Sequence, residues 1–409
     1  MASAAVFDLD RTLLLGSSAG VFRRHLAEAG LTGDGELPLS DVFSRMYQQF
    51  GENWLLMQPA RLAVRMASGW DARVVDAAME SAAADLEELV LPFAAMTMEE
   101  ERAAGRVLAV ATTSPEPFVA PFARRLGFDA VIATKWERDG DCYTGRLDGD
   151  FVWGPAKADA VRRWAEDESI DLRSSTAYSD SYFDTPLLSI VGKPVAVNPD
   201  LQLRATAALR GWRVRNFDRA DGVETLGGFE LQEWFRPLMR PELIAPYARI
   251  EFDGVEHIPS SGPAIVVFNH RSYFDPTVMG LLIAKANRNV RGLGKKEVFD
   301  VPVIGRLMRA SGGIRVDRGT GSDEPLDAAI DAVKGGELLM LAPEGTIPRG
   351  PAFFDPELKG RWGAARLAAA TKAPVIPVGL WGTEKVWPRA SRLPRITVTD
   401  RPLDRKSVV

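Results

Sequence analysis

Two carboxylates stand two residues apart in Phe7-Asp8-Leu9-Asp10-Arg11-Thr12, directly after the apolar pair Val6-Phe7. Where a strand stays extended past its last apolar residue, positions i and i+2 face the same side. Asp8 and Asp10 can then address one substrate. Such a pair suits phosphoryl transfer: one carboxylate attacks phosphorus, and the other protonates the leaving oxygen and later deprotonates water. By itself an Asp-x-Asp reads first as a solvated loop, so the phosphoryl-transfer reading needs company. Thr112 comes after the buried-strand pattern Arg106-Val-Leu-Ala-Val-Ala111 and can hydrogen-bond a phosphate oxygen. Lys157, in Gly154-Pro-Ala-Lys157, can neutralise crowded negative charge. Asp180 and Asp184 again come after a strand pattern, in Tyr178-Ser-Asp-Ser-Tyr-Phe-Asp184, and can hold a hard cation. Mg2+ is the natural choice for carboxylate, carbonyl and water ligands, and its charge would offset the repulsion between phosphate and nucleophile.

A second constellation uses one of only three histidines, His25, His257 and His270. The strand pattern Ala264-Ile-Val-Val-Phe268 runs into Asn269-His270-Arg-Ser-Tyr-Phe-Asp275-Pro276. Asp before Pro predicts a helix start with Asp275 as N-cap, and that structural duty competes with a chemical one. A core histidine with satisfied nitrogens competes likewise for His270. Taken together, an Asp held at a helix start can accept the proton of one ring nitrogen and free the other as a base. That base can activate a substrate hydroxyl for attack on a thioester. The pair is the Asp–His half of a serine hydrolase, with the substrate alcohol in place of the serine.

The elements that must position these residues alternate. Up to about residue 217 the patterns are strand 106–111, helix 116–126, strand 129–134, a hairpin-like stretch 138–151, helix 155–166, strand 174–178 and helix 183–190. Residues 17–102 read as helical, with apolar residues recurring at three and four. Met46, Tyr47, Trp54, Met57, Met66 and Trp70 there read as core. The polar stretch 218–228, DRADGVETLGG, lacks an apolar period and is a candidate linker. Beyond it come strand 264–268, helix 276–286, strand 312–316, helix 324–334, strand 337–342, helix 361–371 and strand 374–380. The expected fold class is α/β twice over, with mainly parallel sheets and ligands beyond the carboxyl ends of their strands.

Composition narrows the function classes. A net charge of −5 over 409 residues argues against nucleic acid as a partner. One cysteine, Cys142, excludes an intrachain disulfide and fits a reducing, cytoplasmic setting. The first residues lack the pattern of a secretory signal, and no run approaches the ~18–20 apolar residues of a membrane span. Residues 229–248, FELQEWFRPLMRPELIAPYA, place Trp234, Phe235, Leu238, Met239, Leu243 and Ile244 among Arg236 and Arg240. Broken by prolines into short helices, such a stretch can lie in a lipid interface or pack on its own domain. The expected location is cytoplasmic and peripheral, on the inner face of the membrane.

In their order along residues 1–217, the blocks FDLDRTLL, VLAVATTSPE, GPAKADAV and AYSDSYFDTPLL resemble the haloacid dehalogenase-like phosphatases, in the branch related to phosphoserine phosphatase. The resemblance implies a Rossmann-like parallel sheet with a helical cap at about 17–102 and a small phosphorylated metabolite as substrate. It also implies Asp8 as nucleophile, Asp10 as acid/base, and Thr112 and Lys157 on phosphate. Mg2+ would be held by Asp8, the Asp10 carbonyl and Asp180, with Asp184 beside them.

Residues 229–409 are similar to the glycerolipid acyltransferases that carry an Asn-His-x-x-x-x-Asp motif. Three further blocks come in order: Gly294-Lys295-Lys296 through Gly312-Gly-Ile-Arg315-Val-Asp317-Arg318, then Pro343-Glu344-Gly345-Thr346, then Ala373-Pro-Val-Ile-Pro377-Val-Gly379. The resemblance implies a 1-acylglycerol-3-phosphate acyltransferase of phospholipid biosynthesis, with acyl-CoA as donor and a lysophospholipid as acceptor. His270 is then the base and Asp275 its orienting partner. Arg318 binds the acceptor phosphate with Lys295 assisting, Arg315 belongs to the same block, and Glu344, Gly345 and Thr346 shape the acceptor and oxyanion region. One position departs from the family pattern: Ile347 stands where an arginine usually comes after Pro-Glu-Gly-Thr, and Arg349 would substitute for it. An acyltransferase for another lysolipid acceptor, with the front domain as a low-activity scaffold or sensor, is the alternative. A peripheral scaffold with idle motifs is a third reading.

Overall fold

The computed structural model describes residues 2–32, 64–220, 223, 225–226, 229–316, 324–348, 350–353, 355, 359–391 and 393–395. The chain forms two compact units, Met1–Asp218 and Arg219–Val409.

In the first unit, six parallel strands are β1 (Ala4–Phe7), β2 (Val107–Pro115), β3 (Ala130–Thr134), β6 (Thr176–Ser179), β7 (Lys193–Val197) and β8 (Arg213–Arg215), in the order β3-β2-β1-β6-β7-β8. Every residue of β1 is buried, as a central strand covered on both faces requires. The chain builds outward from β1 to β3 on one side and from β6 to β8 on the other. The strand order therefore reverses between β1 and β6, the crevice where ligands of open α/β sheets bind. A two-stranded hairpin, β4 (Trp136–Asp139) with β5 (Cys142–Leu147), interrupts the alternation.

Of the expected cap, the described part comprises helices Ala19–Glu28 and Ala72–Glu87 and a short 3-10 turn, Val64–Ala67. Met66 is exposed, and Met46, Tyr47, Trp54 and Met57 lie outside the described residues. Helix Pro92–Ala103, which the sequence pattern groups with the cap, packs on the sheet instead. The Phe93 N–H donates to the Phe217 carbonyl at 3.3 Å, and the Tyr178 hydroxyl donates to Glu101. Burial, reinforced by that carboxylate, raises the Tyr178 phenol above its usual range.

The second unit carries a five-stranded parallel sheet of β11 (Ala264–Phe268), β12 (Arg291–Lys295), β13 (Ile314–Val316), β14 (Leu338–Leu341) and β15 (Val375–Val378), in the order β13-β12-β14-β11-β15. Strand β12 has no counterpart among the sequence patterns; Arg-Gly-Leu-Gly-Lys offers one large apolar residue and no alternation. A small antiparallel pair, β9 (Thr225–Leu226) and β10 (Phe229–Glu230), precedes the sheet.

That pair falls across the stretch expected to be a linker. Val223 is buried, and the Ala220 N–H donates to Glu337 at 3.0 Å. The segment is held because Arg291, 2% exposed, places its guanidinium between two carboxylates. It meets Glu230 through both Nη atoms at 2.7 Å, and Glu337 through Nε at 2.7 Å and Nη2 at 2.8 Å. Burial alone would lower the Arg291 pKa; the hydrogen bonds it donates to the two glutamates, with their charge, outweigh it and raise the value above the ordinary arginine range. Among the described residues, no helix is long and apolar enough to cross a membrane.

Candidate active sites

In the first unit, β1 and β6 end side by side, and each runs at once into an aspartate. Asp8 and Asp180 are 6% and 5% exposed. The Asp8 N–H donates to the Tyr178 carbonyl at 2.9 Å, so the sheet continues one residue past Phe7 and fixes that carboxylate. Lys157 reaches the same point from helix Pro155–Asp167, whose start is set by Gly154 at φ 57°, where a side chain would be strained. Its buried ammonium lies 2.8 Å from Asp8 Oδ1 and 2.8 Å from Asp184 Oδ2. Asp184 is fully buried in the turn Tyr182–Asp184 and also accepts from the Ser179 hydroxyl at 2.7 Å. Its other oxygen, Oδ1, is buried without a hydrogen-bond partner.

Asp10 Oδ1 accepts the Ser18 N–H at 2.7 Å, which ties it to the residue that opens helix Ala19–Glu28. Asp180 accepts from the Thr12 hydroxyl at 3.2 Å and pairs with Arg11 Nε at 3.2 Å. Thr112 is buried on β2, where its hydroxyl accepts the Ser114 N–H at 3.2 Å. Four carboxylates (Asp8, Asp10, Asp180, Asp184) thus share the strand ends with two cations, Lys157 and Arg11. Among the described residues, no group of three or more His, Cys, Asp or Glu side chains is arranged to hold a metal ion by itself. A recess of about 780 Å³ opens at the other end of the strands, lined by Arg106, Lys193, Arg210, Trp212 and Arg213 among others, and includes none of these carboxylates.

In the second unit, β11 and β14 are parallel neighbours, so the loops that leave their carboxyl ends emerge at one edge of the sheet. The β11 loop carries His270 and the β14 loop carries Glu344. His270 Nδ1 lies 2.9 Å from Asp275 Oδ2. Asp275 is fully buried in the first turn of helix Asp275–Lys285. The N-cap expectation is corrected here: Phe274 is the N-cap and makes no side-chain cap bond. The Asp275 carboxylate turns back instead and accepts the N–H groups of Arg271 at 2.7 Å and Ser272 at 2.8 Å. Serving the loop before the helix leaves this side chain in position to serve the imidazole as well.

Asn269 clamps the end of β11 to the residue after Gly379, donating to the Leu380 carbonyl at 2.9 Å and accepting its N–H at 2.6 Å. The Ser272 hydroxyl is buried with the Thr383 and Trp387 carbonyls at 2.9 and 2.7 Å. Arg271 donates to the carbonyls of Phe353 and Asp355 at 2.5 and 3.0 Å. Sequence alone assigns none of these three a role, although each stands inside the Asn-His-x-x-x-x-Asp block; only their partners, far along the chain, reveal one.

Glu344 is nine-tenths buried, with Oε2 unpartnered, and Gly345 holds φ 66° in the turn that presents it, its N–H donating to Ala342 at 2.9 Å. Thr346 is half-buried beside it. Ile347, in place of the family arginine, is buried and its carbonyl accepts from Arg389 at 2.8 Å. Lys295 is exposed at the end of β12. Arg315 is exposed within β13 and pairs with Asp300 at 3.4 Å. Arg318 and Arg349 lie outside the described residues.

Comparison with known proteins agrees with this division. Residues 5–189 match the haloacid dehalogenase-like hydrolase family, and residues 249–381 match the acyltransferase family. A Streptomyces azureus protein named for inhibition of morphological differentiation is 35% identical over 255 residues, 59% of this chain and 87% of its own. Phosphoserine phosphatase SerB1 of Mycobacterium tuberculosis is 34% identical over 235 residues, 56% of this chain and 75% of its own. A histidinol-phosphatase of Neisseria meningitidis is 29% identical over 228 residues, 53% of this chain and 100% of its own. The chain belongs to the haloacid dehalogenase-like hydrolases through its first unit and carries an acyltransferase domain in its second.

Proposed function

We propose that the second unit transfers a fatty acyl group from acyl-CoA to the hydroxyl of a lysophospholipid, with lysophosphatidic acid as the acceptor. The observation that carries this is the buried Asp275 carboxylate on His270 Nδ1, at a sheet edge shared with Glu344. Asp275 keeps the Nδ1 proton and leaves Nε2 as the base. His270 takes the acceptor's hydroxyl proton as its oxygen bonds to the thioester carbon, and returns that proton to the departing thiolate. The glycine turn at Gly345 and the exposed Lys295 border the acceptor, with Arg315, Arg318 and Arg349 supplying cations for its phosphate. The exposed Trp234, Phe235, Leu238 and Leu243 bring this unit to the lipid surface where its substrates reside.

The first unit, in the same proposal, hydrolyses a small phosphate monoester. Asp8 bonds to phosphorus while the leaving oxygen departs with a proton from Asp10. Asp10 then deprotonates the water that cleaves the aspartyl-phosphate, and the Thr112 hydroxyl and Lys157 ammonium hold the phosphate oxygens. Mg2+ fits this site: the six charged side chains at the strand ends sum to −2, and the unpartnered Asp184 oxygen indicates missing positive charge. Asp8, Asp180 and the Asp10 carbonyl would hold it, with Asp184 beside them. Bound there, it neutralises the phosphate that the carboxylate attacks. The relatives' names, one a phosphoserine phosphatase and one a histidinol-phosphatase, support a small phosphorylated metabolite and differ on which.

The decisive experiment incubates purified protein with labelled acyl-CoA and a panel of lysolipids, beside a phosphatase assay with Mg2+. Wild type should acylate lysophosphatidic acid and release phosphate, His270→Ala should lose only the first activity, and Asp8→Asn only the second. Acyl transfer that survives His270→Ala would remove the dyad from the mechanism.

A further inference from the structure

Arg11 has no step in the proposed phosphatase chemistry, yet it lies among the residues that do. Its backbone is left-handed, φ 59°, a conformation that relaxes glycine and strains an arginine. Strain of this kind persists where a side chain is needed at that point. The side chain reaches Asp180: Nε lies 3.2 Å from Oδ2, while Oδ1 of the same carboxylate accepts from Thr12 at 3.2 Å. Nη1 of Arg11 is buried without a hydrogen-bond partner.

We propose that Arg11 is a resident counter-cation of Asp180 that competes with a divalent cation for that carboxylate and thereby sets the affinity of the first unit for Mg2+. This rests on the phosphatase reading only in taking Asp180 as a carboxylate that holds the metal. A guanidinium stays charged at any accessible pH, so it yields Asp180 only by moving. Its side chain is one-quarter exposed, which leaves it a route to solvent, and its unpartnered Nη1 gains a partner by taking that route. While it remains, its charge occupies one of the two Asp180 oxygens and repels a second cation beside it. A phosphatase built this way requires a higher Mg2+ concentration than one with a small neutral residue at the same position.

The test is calorimetric titration of Mg2+ into the full chain, with four substitutions. Arg11→Gly and Arg11→Asn remove the charge, and both residues accept a left-handed backbone. Arg11→Lys keeps the charge. Asp180→Asn removes the carboxylate. Loss of one unit charge a few ångströms from the ion predicts a Kd lower by at least about tenfold in the Gly and Asn variants, with the Lys variant near wild type. Measurable binding in those two variants and none in wild type supports the proposal equally. Unchanged Kd in the Gly and Asn variants overturns it, as does an equal tightening in the Lys variant, which would trace the effect to something other than charge. If Asp180→Asn abolishes binding while the Arg11 variants do nothing, the Arg11 proposal fails and the metal assignment stands. If Asp180→Asn leaves binding untouched, the metal assignment fails and takes the proposal with it.

Discussion

Oδ2 of Asp275 gathers three nitrogens at once: His270 Nδ1 lies 2.9 Å away, and the N–H groups of Arg271 and Ser272 donate to it at 2.7 and 2.8 Å. The two backbone groups hold the oxygen in place independently of the imidazole. The imidazole therefore faces a placed oxygen, and the proposed mechanism puts the ring proton on Nδ1. His270→Ala should lower acyl transfer by ~10²–10⁴-fold, the range of a lost general base, with phosphatase turnover unchanged in the same sample. Asp275→Asn is the sharper variant. Its carbonyl oxygen can take the place of Oδ2 and face the same three groups, but the negative charge that steadies a protonated imidazole is gone. A comparable loss of rate with an unchanged melting temperature is expected; a melting temperature that falls with the rate would point to a purely structural Asp275.

The features legible in the sequence obey local rules. Asp8 can be placed at a strand end because the short apolar pair Val6-Phe7 runs straight into it, and Asp180 because the pair Ala177-Tyr178 stands two residues before it. The alternation of strands and helices yields the α/β class of both units. Three features are not legible, each for a different reason. Asp275-Pro276 carries the local signature of an N-cap, yet its carboxylate bonds backward to a loop, a choice made by tertiary position. Strand β12 has glycines at alternate positions and stays extended because its neighbours β13 and β14 pair with it. The stretch 218–228 looks solvated because its anchors, Arg291 and Glu337, lie about 60 to 120 residues away.

That anchor gives a prediction for stability. Arg291 is buried between Glu230 and Glu337. Removing the cation leaves two buried carboxylates facing each other, a loss of about 3–5 kcal/mol for a broken buried pair. Arg291→Met should therefore lower the urea midpoint of the second unit sharply. Adding Glu230→Gln to it should recover part of the loss, because one uncompensated charge goes. Strict additivity of the two changes would mean that the pair does not interact.

Lys157 invites the same argument at the chemical centre of the first unit. Its ammonium is fully buried and touches both Asp8 and Asp184. Lys157→Met should abolish phosphatase turnover and destabilise the first unit by about 3–5 kcal/mol. Saturating Mg2+ should restore part of the stability, since a bound cation supplies the missing positive charge, but not the turnover. Thermal melts with and without Mg2+ separate the two effects. Equal melts for wild type and variant would show the Lys157 charge to be dispensable for folding.

Trp234, Phe235, Leu238, Leu243 and Ile244 are exposed on a stretch of short helices and Phe229 on the strand just before it, while Met239 Cε lies 3.4 Å from where a Cβ on Gly280 would stand, in helix Asp275–Lys285. The stretch thus touches its own domain through Met239 and leaves those apolar side chains exposed. Exposed aromatic and aliphatic side chains close together in the chain carry a solvation cost that an acyl-chain boundary removes. Trp234→Ser with Phe235→Ser should therefore weaken co-sedimentation with phosphatidylglycerol-containing liposomes and raise the apparent KM for acceptor presented in vesicles. The kcat for a short-chain acceptor free in solution should not change, because neither side chain lies in the His270–Asp275 block. If liposome binding is the same before and after the double substitution, the exposed stretch is not a lipid contact, and its apolar side chains need another explanation.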